Sequence, residues 1–466
     1  MSHNAVLLNF PIFVVNTDNS KKLYSDMTPK NGKEIFVLVL LACLFLYACT
    51  QTPSGFGGKT VLRPLGKGLS AGTQIVSDSL PLMRQQQKSL YQIKKNYDVF
   101  QMIQIIRIDS VFSPEYRIIP LETIERSLIG NIGDLFKDDS LLILTDYMNG
   151  LILAFDLNGK FLHQIGSKGH ASNEYTNMLQ VAFDAHHKRL CVLDGYSDKL
   201  VFYDFQGKHL GSEPLYFRCG DIAFWGDKRF LLTLPYVHED YGILNSFKLT
   251  VTDEKGMPEC GILCDPGFPK DVFGISLGHS LHANPDGVFY MDILTPDTIW
   301  RIRDDECVPF LVADFGEPFT TAASYCEMTD ESYCKRINQI DFLRDDFVFT
   351  KDFGYVGFRD CAIVNLNTGN YLAGRLSGRL GRPLRNFLEF AYESDIWKPA
   401  FLYDWERNQI AKVWPADELV RYLEMMRDSK DGEDVYQSWP QSDRDILERL
   451  TPEDNPVIVV ATLKEF

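Results

Sequence analysis

The sequence predicts an all-β fold, a six-bladed β-propeller in which each blade is a sheet of four antiparallel strands. Short runs with apolar residues at every second position recur along the chain, as expected of strands. Six of these runs end in an acidic or amide residue that is closely followed by a turn residue. The turns lie at residues 156–159, 204–207, 253–256, 304–306, 365–369 and 404–408. Their period of about 50 residues is typical of four-stranded blades.

The first two repeats align without a gap at an offset of 48 residues. Asp146 then aligns with Asp194, and Gly159 aligns with Gly207. We expect both glycines to adopt a positive φ in a tight turn, with neighbouring Asp and Asn side chains bonded to the backbone. A single blade cannot bury both of its faces, so each blade needs a neighbour, and closing the ring removes most exposed strand edges.

The later repeats are less regular, and each is represented by two or three strand candidates. These are 229–234 with 247–253, 288–292 with 298–303, 347–352 with 360–365, and 387–392 with 400–403 and 410–414. Two further candidates, at 102–108 and 456–463, lie outside this count. We expect one of them to complete a blade begun by the other terminus and so to close the ring, but the pattern leaves open which one.

Residues 35–48 form an apolar run that predicts an export signal. The run follows two lysines, is too short to span a membrane comfortably and ends in Ala48 before Cys49. This order matches a lipoprotein signal, in which cleavage before Cys49 leaves a lipidated amino terminus that holds the protein on a membrane. Cys43 matches the pattern with a shorter apolar core. The alternatives are an uncleaved signal anchor and a buried strand.

The chain is accordingly divided into three parts. Residues 1–49 are predicted to hold an upstream extension and the signal peptide, with Met27 as an alternative start. Residues 50–99 are expected to be a flexible tether, because their first half is rich in Gly, Ser and Thr. Residues 100–466 form the propeller. Helical spacing within 416–452 predicts a helical decoration on the outside of the ring, just before the closing strand.

Composition agrees with an exported globular protein. Hydrophobic residues make up 45% of the 466 residues, which is enough for a large core. The net charge of −16 argues against nucleic acid and against anionic lipid as partners, so the membrane link should be covalent lipid. Most cysteines lie within strand runs, where a thiol packs as a small apolar residue; a disulfide between Cys326 and Cys334 is the alternative. We expect a monomer without a cofactor.

Three stretches carry a family resemblance. Residues 165–169, 190–194 and 200–204 resemble an NHL-type blade. The chain from about 100 to 463 is similar to the six-bladed β-propeller lipoproteins of Bacteroides-type bacteria, with NHL- or TolB-like repeats. The resemblance implies the fold and export. It also implies a lipid-anchored protein of the cell envelope, and the uncharged residues 50–53 favour the periplasmic face of the outer membrane over the cell surface.

A ligand site is expected at one mouth of the central channel. There the loops that join the second and third strands of every blade converge with the loops between blades. Aromatic rings in these loops could stack on sugars, and carboxylates could accept hydrogen bonds from hydroxyl groups. The alternative is that each aspartate only caps its own turn. The candidates are Asp146, Tyr147, Asp194, Tyr196, Tyr241, Asp292, Asp352, Tyr355 and Trp397.

Three classes of function are compatible with the motifs of this sequence. The favoured one is a non-catalytic module that binds a glycan, a peptide or an envelope protein. The second is a metal-dependent hydrolase or lyase of the lactonase kind, for which His238, His279 and His282 are the loop histidines, although no spacing enforces a metal site. The third is a structural component of the envelope. The sequence contains neither a Gly-x-Ser-x-Gly nor a His-Glu-x-x-His motif.

Overall fold

The structure is a computed structural model. It describes residues 60–62, 65, 74–76, 79–94, 105–226, 229–233, 239–264, 280–292, 296–316, 332, 335, 343–344, 346–358, 360–377, 386–393 and 399–466. The predicted signal peptide, the lipidation site Cys49, its alternative Cys43 and the site candidate Trp397 lie outside the described residues.

Six antiparallel four-stranded sheets form the blades of a propeller ring, which confirms the predicted fold. Blade 1 contains Leu135–Lys137, Leu141–Asp146, Leu151–Asp156 and Phe161–Gln164. Blade 2 contains Met178–Asp184, Arg189–Asp194, Lys199–Asp204 and His209–Pro214. Blade 3 contains Ile222–Trp225, Arg229–Thr233, Phe247–Thr252 and Pro258–Cys264. Blade 4 contains Leu281–Asn284, Gly287–Met291, Thr298–Arg303 and Glu306–Asp314. Blade 5 contains Phe347–Phe349, Phe353–Gly357, Cys361–Asn365 and Tyr371–Ser377.

Blade 6 closes the ring with strands from both ends of the chain. Its first two strands are Ala400–Asp404 and Gln409–Trp414, its third is Val457–Leu463, and its outermost is Phe112–Pro120. The carboxy-terminal strand therefore lies between its two partners, with Val457 opposite both Trp414 and Pro120.

The core consists of apolar layers between adjacent blades. Leu142 and Ile143 are neighbours in the second strand of blade 1, and successive side chains of a strand point to opposite faces. Leu142 accordingly packs in a cluster with Val460 of blade 6, whereas Ile143 packs with Val192 of blade 2. The alternation of apolar side chains between the two faces of a strand thus lets blade 1 pack against blade 2 on one face and against blade 6 on the other.

The turns between third and fourth strands have the predicted conformation in the first two blades. Gly159 and Gly207 have φ of 85° and 86°, a region that favours glycine. Asp156 Oδ1 accepts hydrogen bonds from the backbone N–H of Asn158 and Lys160, at 2.8 and 2.9 Å. Asp204 makes the equivalent bonds in blade 2. The residues 404–408 instead join the first and second strands of blade 6, because the amino-terminal part of the chain supplies its outermost strand.

The predicted strand at 387–392 is wrong, since this segment is the helix Phe387–Glu393. The apolar side chains known to be buried are Phe387, Leu388, Ala391 and Tyr392, at positions i, i+1, i+4 and i+5, and the charged Glu389 is buried with them. This spacing is that of one helical face and not that of a strand. Asn386 Oδ1 accepts a hydrogen bond of 3.1 Å from the backbone N–H of Glu389 in the first turn.

The helical decoration precedes the closing strand, as predicted. It consists of Ala416–Arg427, Lys430–Gln437 and Gln441–Leu447, which connect the second and third strands of blade 6. Leu419 and Leu423 pack with Tyr436, Trp439 and Leu447 in one apolar cluster that also contains strand residues of blade 6. No helix among the described residues is both long enough and apolar enough to cross a membrane.

The chain before blade 1 follows the outer edges of several blades. Thr60–Leu62 pairs with Gln74–Val76, and Leu82 makes a parallel bridge to Gly261 of blade 3. Arg84–Gln85 and Tyr91–Lys94 then add parallel strands to the outer edge of blade 4.

The same path continues to blade 5, where Ile105–Arg107 pairs in parallel with the outermost strand. The short helix Ile108–Val111 leads from there into blade 6. A free tether over 50–99 would not make these contacts. The described residues within that range are therefore an arm packed on the ring. The apolar side chain of Ile93 is only 1% exposed, so the removal of apolar surface from water favours this packing.

Candidate functional site

The mouth face is the end of the ring at which the second strand of each blade ends and its innermost strand begins. It contains the turns 147–150 of blade 1 and 195–198 of blade 2. In blade 3 the corresponding connection includes the 3₁₀ segment Glu239–Ser246, and in blade 4 it runs from Asp292 to Asp297. Four of the loops predicted from the sequence thus connect the second and third strands of their blades, because the strands that flank them have a regular pattern.

Asp194 is fully buried below the blade 2 turn. Its carboxylate accepts hydrogen bonds from the backbone N–H and hydroxyl of Thr176, at 2.7 and 2.8 Å, and from the N–H of Asn177 at 3.0 Å. The N–H groups of Tyr196 and Ser197 add bonds of 3.2 and 3.3 Å. Burial alone would raise the pKa of Asp194, but these donors outweigh it and hold the pKa below its ordinary value.

Asp146 has the same role in blade 1. Its carboxylate accepts hydrogen bonds from the backbone N–H of Gly130 at 2.8 Å and of Asn131 at 3.0 Å. Asn149 donates from its backbone at 3.0 Å and from its side chain at 2.8 Å. Both aspartates thus join a turn of their own blade to the segment that enters the same blade. This favours the capping interpretation over direct hydrogen bonding to a ligand.

Each of the two turns presents one large apolar side chain to solvent, and the blade 1 turn also exposes Asn149, whose side chain is bonded to Asp146. Met148 is 69% exposed and Tyr196 is 81% exposed, and these residues occupy equivalent positions in blades 1 and 2. Leu128 and Leu179, in the segments that the two aspartates bind, are also exposed. A Cβ added at Gly195 would lie 3.5 Å from Leu179 Cβ, so Leu179 lies beside the Tyr196 turn. We call Leu128, Met148, Leu179 and Tyr196 the apolar rim.

Tyr147 points away from solvent, in contrast to Met148. Its hydroxyl donates to the carboxylate of Asp134, the residue before the innermost strand of blade 1. Burial and the nearby charge of Asp134 raise the pKa of Tyr147 well above its ordinary value. Tyr147 is partly buried, and its hydroxyl stabilises the entry of the innermost strand.

Asp292 forms a buried ion pair across two blades. Its partner is Lys248, near the start of the third strand of blade 3. Both side chains are largely removed from solvent, so the loss of either would leave an uncompensated charge. Burial, together with the charge of Asp292, also raises the pKa of Asp297 in the same connection.

Three aspartates that we did not single out from the sequence precede the innermost strands of alternate blades. They are Asp134 of blade 1, Asp221 of blade 3 and Asp346 of blade 5. Asp221 Oδ2 accepts a hydrogen bond of 2.9 Å from the N–H of Leu281 in blade 4, and Asp346 Oδ1 accepts one of 2.8 Å from Ala400 in blade 6. The signal that could have revealed them is an aspartate directly before the first strand of a repeat.

The expected placement of Asp352 and Tyr355 is wrong. Asp352 lies between the first and second strands of blade 5, at the opposite end of the ring, where it accepts hydrogen bonds from Asn408 and Asn367. Tyr355 is buried within the second strand. The backbone N–H of Thr350 bonds to the carbonyl of Phe353, so the chain reverses inside the run that we expected to be one strand.

The two remaining candidates add nothing to this geometry. Tyr241 lies in the 3₁₀ segment of blade 3, but its side chain is outside the described part of the chain, as is all of Trp397. Within the described ranges, no group of three or more His, Cys, Asp or Glu side chains is arranged to hold a metal ion. Binding at the mouth face stays a prediction.

Comparison with known proteins supports the fold and shows the family. The model of the family described as "Domain of unknown function (DUF4934)" matches residues 102–462. No curated protein matches the sequence. The crystal structure of BF0058 from Bacteroides fragilis NCTC 9343, by its name an exported protein, is similar with a TM-score of 0.59 and 17% identity over 80% of this chain and 99% of that chain.

A second structure is more distantly similar. It is a member of the DUF4221 family from Bacteroides vulgatus ATCC 8482, with a TM-score of 0.45 and 10% identity over 76% of this chain and 98% of that chain. The family model covers most of the 466 residues, including all six blades. The chain therefore belongs to the DUF4934 family.

Proposed function

We propose that the protein is exported, is held on a membrane by lipid at Cys49, and binds a peptide segment of an envelope protein with the apolar rim. Export is supported by the apolar run before Cys49 and by the fold similarity to BF0058. Binding is supported chiefly by one observation. Two equivalent turns hold Met148 and Tyr196 out in solvent while buried aspartates bond the turns below them.

The chemistry of the apolar rim favours a peptide over a glycan. Sugar recognition needs acceptors for hydroxyl groups beside the aromatic ring, but the carboxylates of Asp146 and Asp194 already accept hydrogen bonds from the protein itself. The apolar rim itself offers a thioether, a phenol ring and two leucine side chains, and the exposed Asn149 beside it already donates its side-chain amide to Asp146. Methionine and tyrosine on rigid supports are typical of protein-binding surfaces.

A photo-crosslinking amino acid at position 196 tests this function in a bacterium that produces the protein. We expect a discrete protein adduct from position 196 and not from position 210, since Leu210 is exposed on the outer edge of blade 2. The purified partner should then bind the Tyr196→Ala variant at least tenfold more weakly, as for an interface hot spot, while Leu210→Ala binds normally. The proposal is wrong if both positions give the same adducts, or if Tyr196→Ala abolishes binding on a glycan array instead.

The lipid anchor has an independent test. In cells fed an alkyne-tagged fatty acid, the wild-type protein should become labelled and remain in the membrane fraction. Cys49→Ser should lose both properties, whereas Cys43→Ser should keep them. Labelling that follows Cys43, or membrane association without any label, would contradict lipidation at Cys49.

A further inference from the structure

Two adjacent histidines lie in the turn between the first and second strands of blade 2, at the end of the ring opposite the mouth face. His186 and His187 are both exposed. His186 Nδ1 and His187 Nε2 are 3.4 Å apart. The other ring nitrogen of His187, Nδ1, lies 2.8 Å from the carboxylate of Asp184.

The carboxylate determines which nitrogen of His187 carries a proton. Asp184 also accepts hydrogen bonds from Arg189 Nε at 2.9 Å and from the backbone N–H of His187 at 3.1 Å. Asp184 is thus paired with a guanidinium, and a carboxylate so paired is ionised at neutral pH. An ionised carboxylate only accepts hydrogen bonds, so His187 Nδ1 donates to it and the lone pair of the neutral ring lies on Nε2.

The turn that carries the two rings is held in place by its neighbours. The carbonyl of Lys188 accepts a hydrogen bond of 3.1 Å from the backbone N–H of Phe205, in the adjacent turn of blade 2. Lys188 Nζ lies 2.9 Å from Asp138 of blade 1. The backbone at Lys188 has a φ of 52°, a conformation that closes the turn. The backbone of this turn is therefore fixed by two neighbouring segments, and Asp184 fixes the ring of His187.

We propose that His186 Nδ1 and His187 Nε2 form a surface binding site for one zinc ion, with Asp184 orienting His187. Zinc binds histidine nitrogen at about 2.0–2.1 Å in a tetrahedral shell, in which two nitrogens are about 3.4 Å apart. The observed separation equals that value. The carboxylate on the far nitrogen is the arrangement that orients metal-bound histidines in general. The ion would replace the hydrogen bond between the rings, and its two other positions would take water or an external ligand.

Zinc titration of the full-length protein in detergent, without a histidine tag, tests the site by calorimetry. We expect one saturable equivalent of zinc. His186→Ala and His187→Ala should each weaken binding by about tenfold or more, and Asp184→Asn by about tenfold. The control His170→Ala removes an exposed histidine of another loop and should bind as the wild type does.

Each variant is first compared with the wild type by urea unfolding without metal, so that a folding defect is recognised. Cobalt provides a direct second readout, because its visible absorption reports tetrahedral nitrogen coordination and should disappear in His187→Ala. The proposal is overturned if wild-type protein binds no stoichiometric zinc, or if both histidine variants bind it with wild-type affinity. It is also overturned if His170→Ala removes the binding.

Discussion

Single buried aspartates give the mouth face its shape. Asp194 satisfies five donors of the protein, and Asp146 satisfies four. In both blades the donors come from two segments that are separate in sequence, the turn itself and the entry to the innermost strand. One carboxylate thus fixes two pieces of backbone, and this explains how the turn that carries the exposed Tyr196 is held in place.

Replacing Asp194 by asparagine should destabilise the fold by about 1–3 kcal/mol at neutral pH, because an amide has one acceptor where the carboxylate has two. The folded pKa of Asp194 is lowered, so its contribution is present above the unfolded pKa of about 4 and is lost as pH falls through the folded pKa. Urea unfolding at several pH values measures this. The difference in unfolding free energy between Asp194→Asn and the wild type should shrink in acid. The control Asp139→Asn alters a fully exposed side chain and should change the unfolding free energy little. A difference that stays constant in acid would contradict this role.

At the scale of elements, the arm along the outer edges is the feature that composition alone did not reveal. Tyr91–Lys94 covers the edge of blade 4, and the hydroxyl of Tyr91 donates to the carbonyl of Leu366 in blade 5 at 2.6 Å. Tyr371 of blade 5 bonds in turn to the backbone of Lys94, both as donor and as acceptor. The arm therefore links two blades as well as protecting a strand edge.

Ile93→Ala distinguishes an arm that stabilises the ring from a passive tether. Ile93 is buried in the cluster between blades 4 and 5, so its truncation should cost about 2–4 kcal/mol of unfolding free energy. Leu90→Ala is the matched control, because Leu90 is 50% exposed and should cost less than about 0.5 kcal/mol. Urea unfolding followed by circular dichroism measures both. Equal midpoints for the wild type and Ile93→Ala would show that the arm adds no stability.

The elements that could be predicted from the sequence are those with local signals. Blades 1 and 2 repeat without a gap, so their turns, glycines and aspartates were found together. Blade 5 was misread because its first hairpin, around Thr350, is hidden in a run of aromatic residues. Phe387–Glu393 was misread because a short apolar run does not distinguish a strand from a buried helix. The candidate residues were placed correctly in the ring only in blades whose strands were predicted correctly, and their binding role stays a prediction. The hydrogen bonds of Asp146 and Asp194 could not be predicted, because their donors lie in segments distant in sequence.

For the whole molecule, the decisive contact is long-range and carries no local signal. Phe112–Pro120 pairs with Val457–Leu463, two segments from opposite ends of the chain. Neither the alternation of apolar residues nor the spacing of turns can specify such a pairing, because the two strands meet only when the six blades close into a ring. The ring therefore becomes complete only when both ends are present, and the other blades depend on that closure for their last neighbour.

Removing residues 456–466 should therefore abolish cooperative unfolding of the entire ring. The deletion takes away the buried third strand of blade 6 and leaves Gln409–Trp414 and Phe112–Pro120 without their shared partner. Two exposed edges and an uncovered apolar layer should make the protein aggregate, as seen by light scattering and by loss of a sigmoidal urea transition. Removing only 464–466 is the control, because it takes one backbone bond, from Lys464 to Val111, and the half-exposed Phe466. That shorter deletion should keep a single transition and lose about 1 kcal/mol. If the longer deletion unfolded at the wild-type urea concentration, closure by the two termini would not be what holds the ring together.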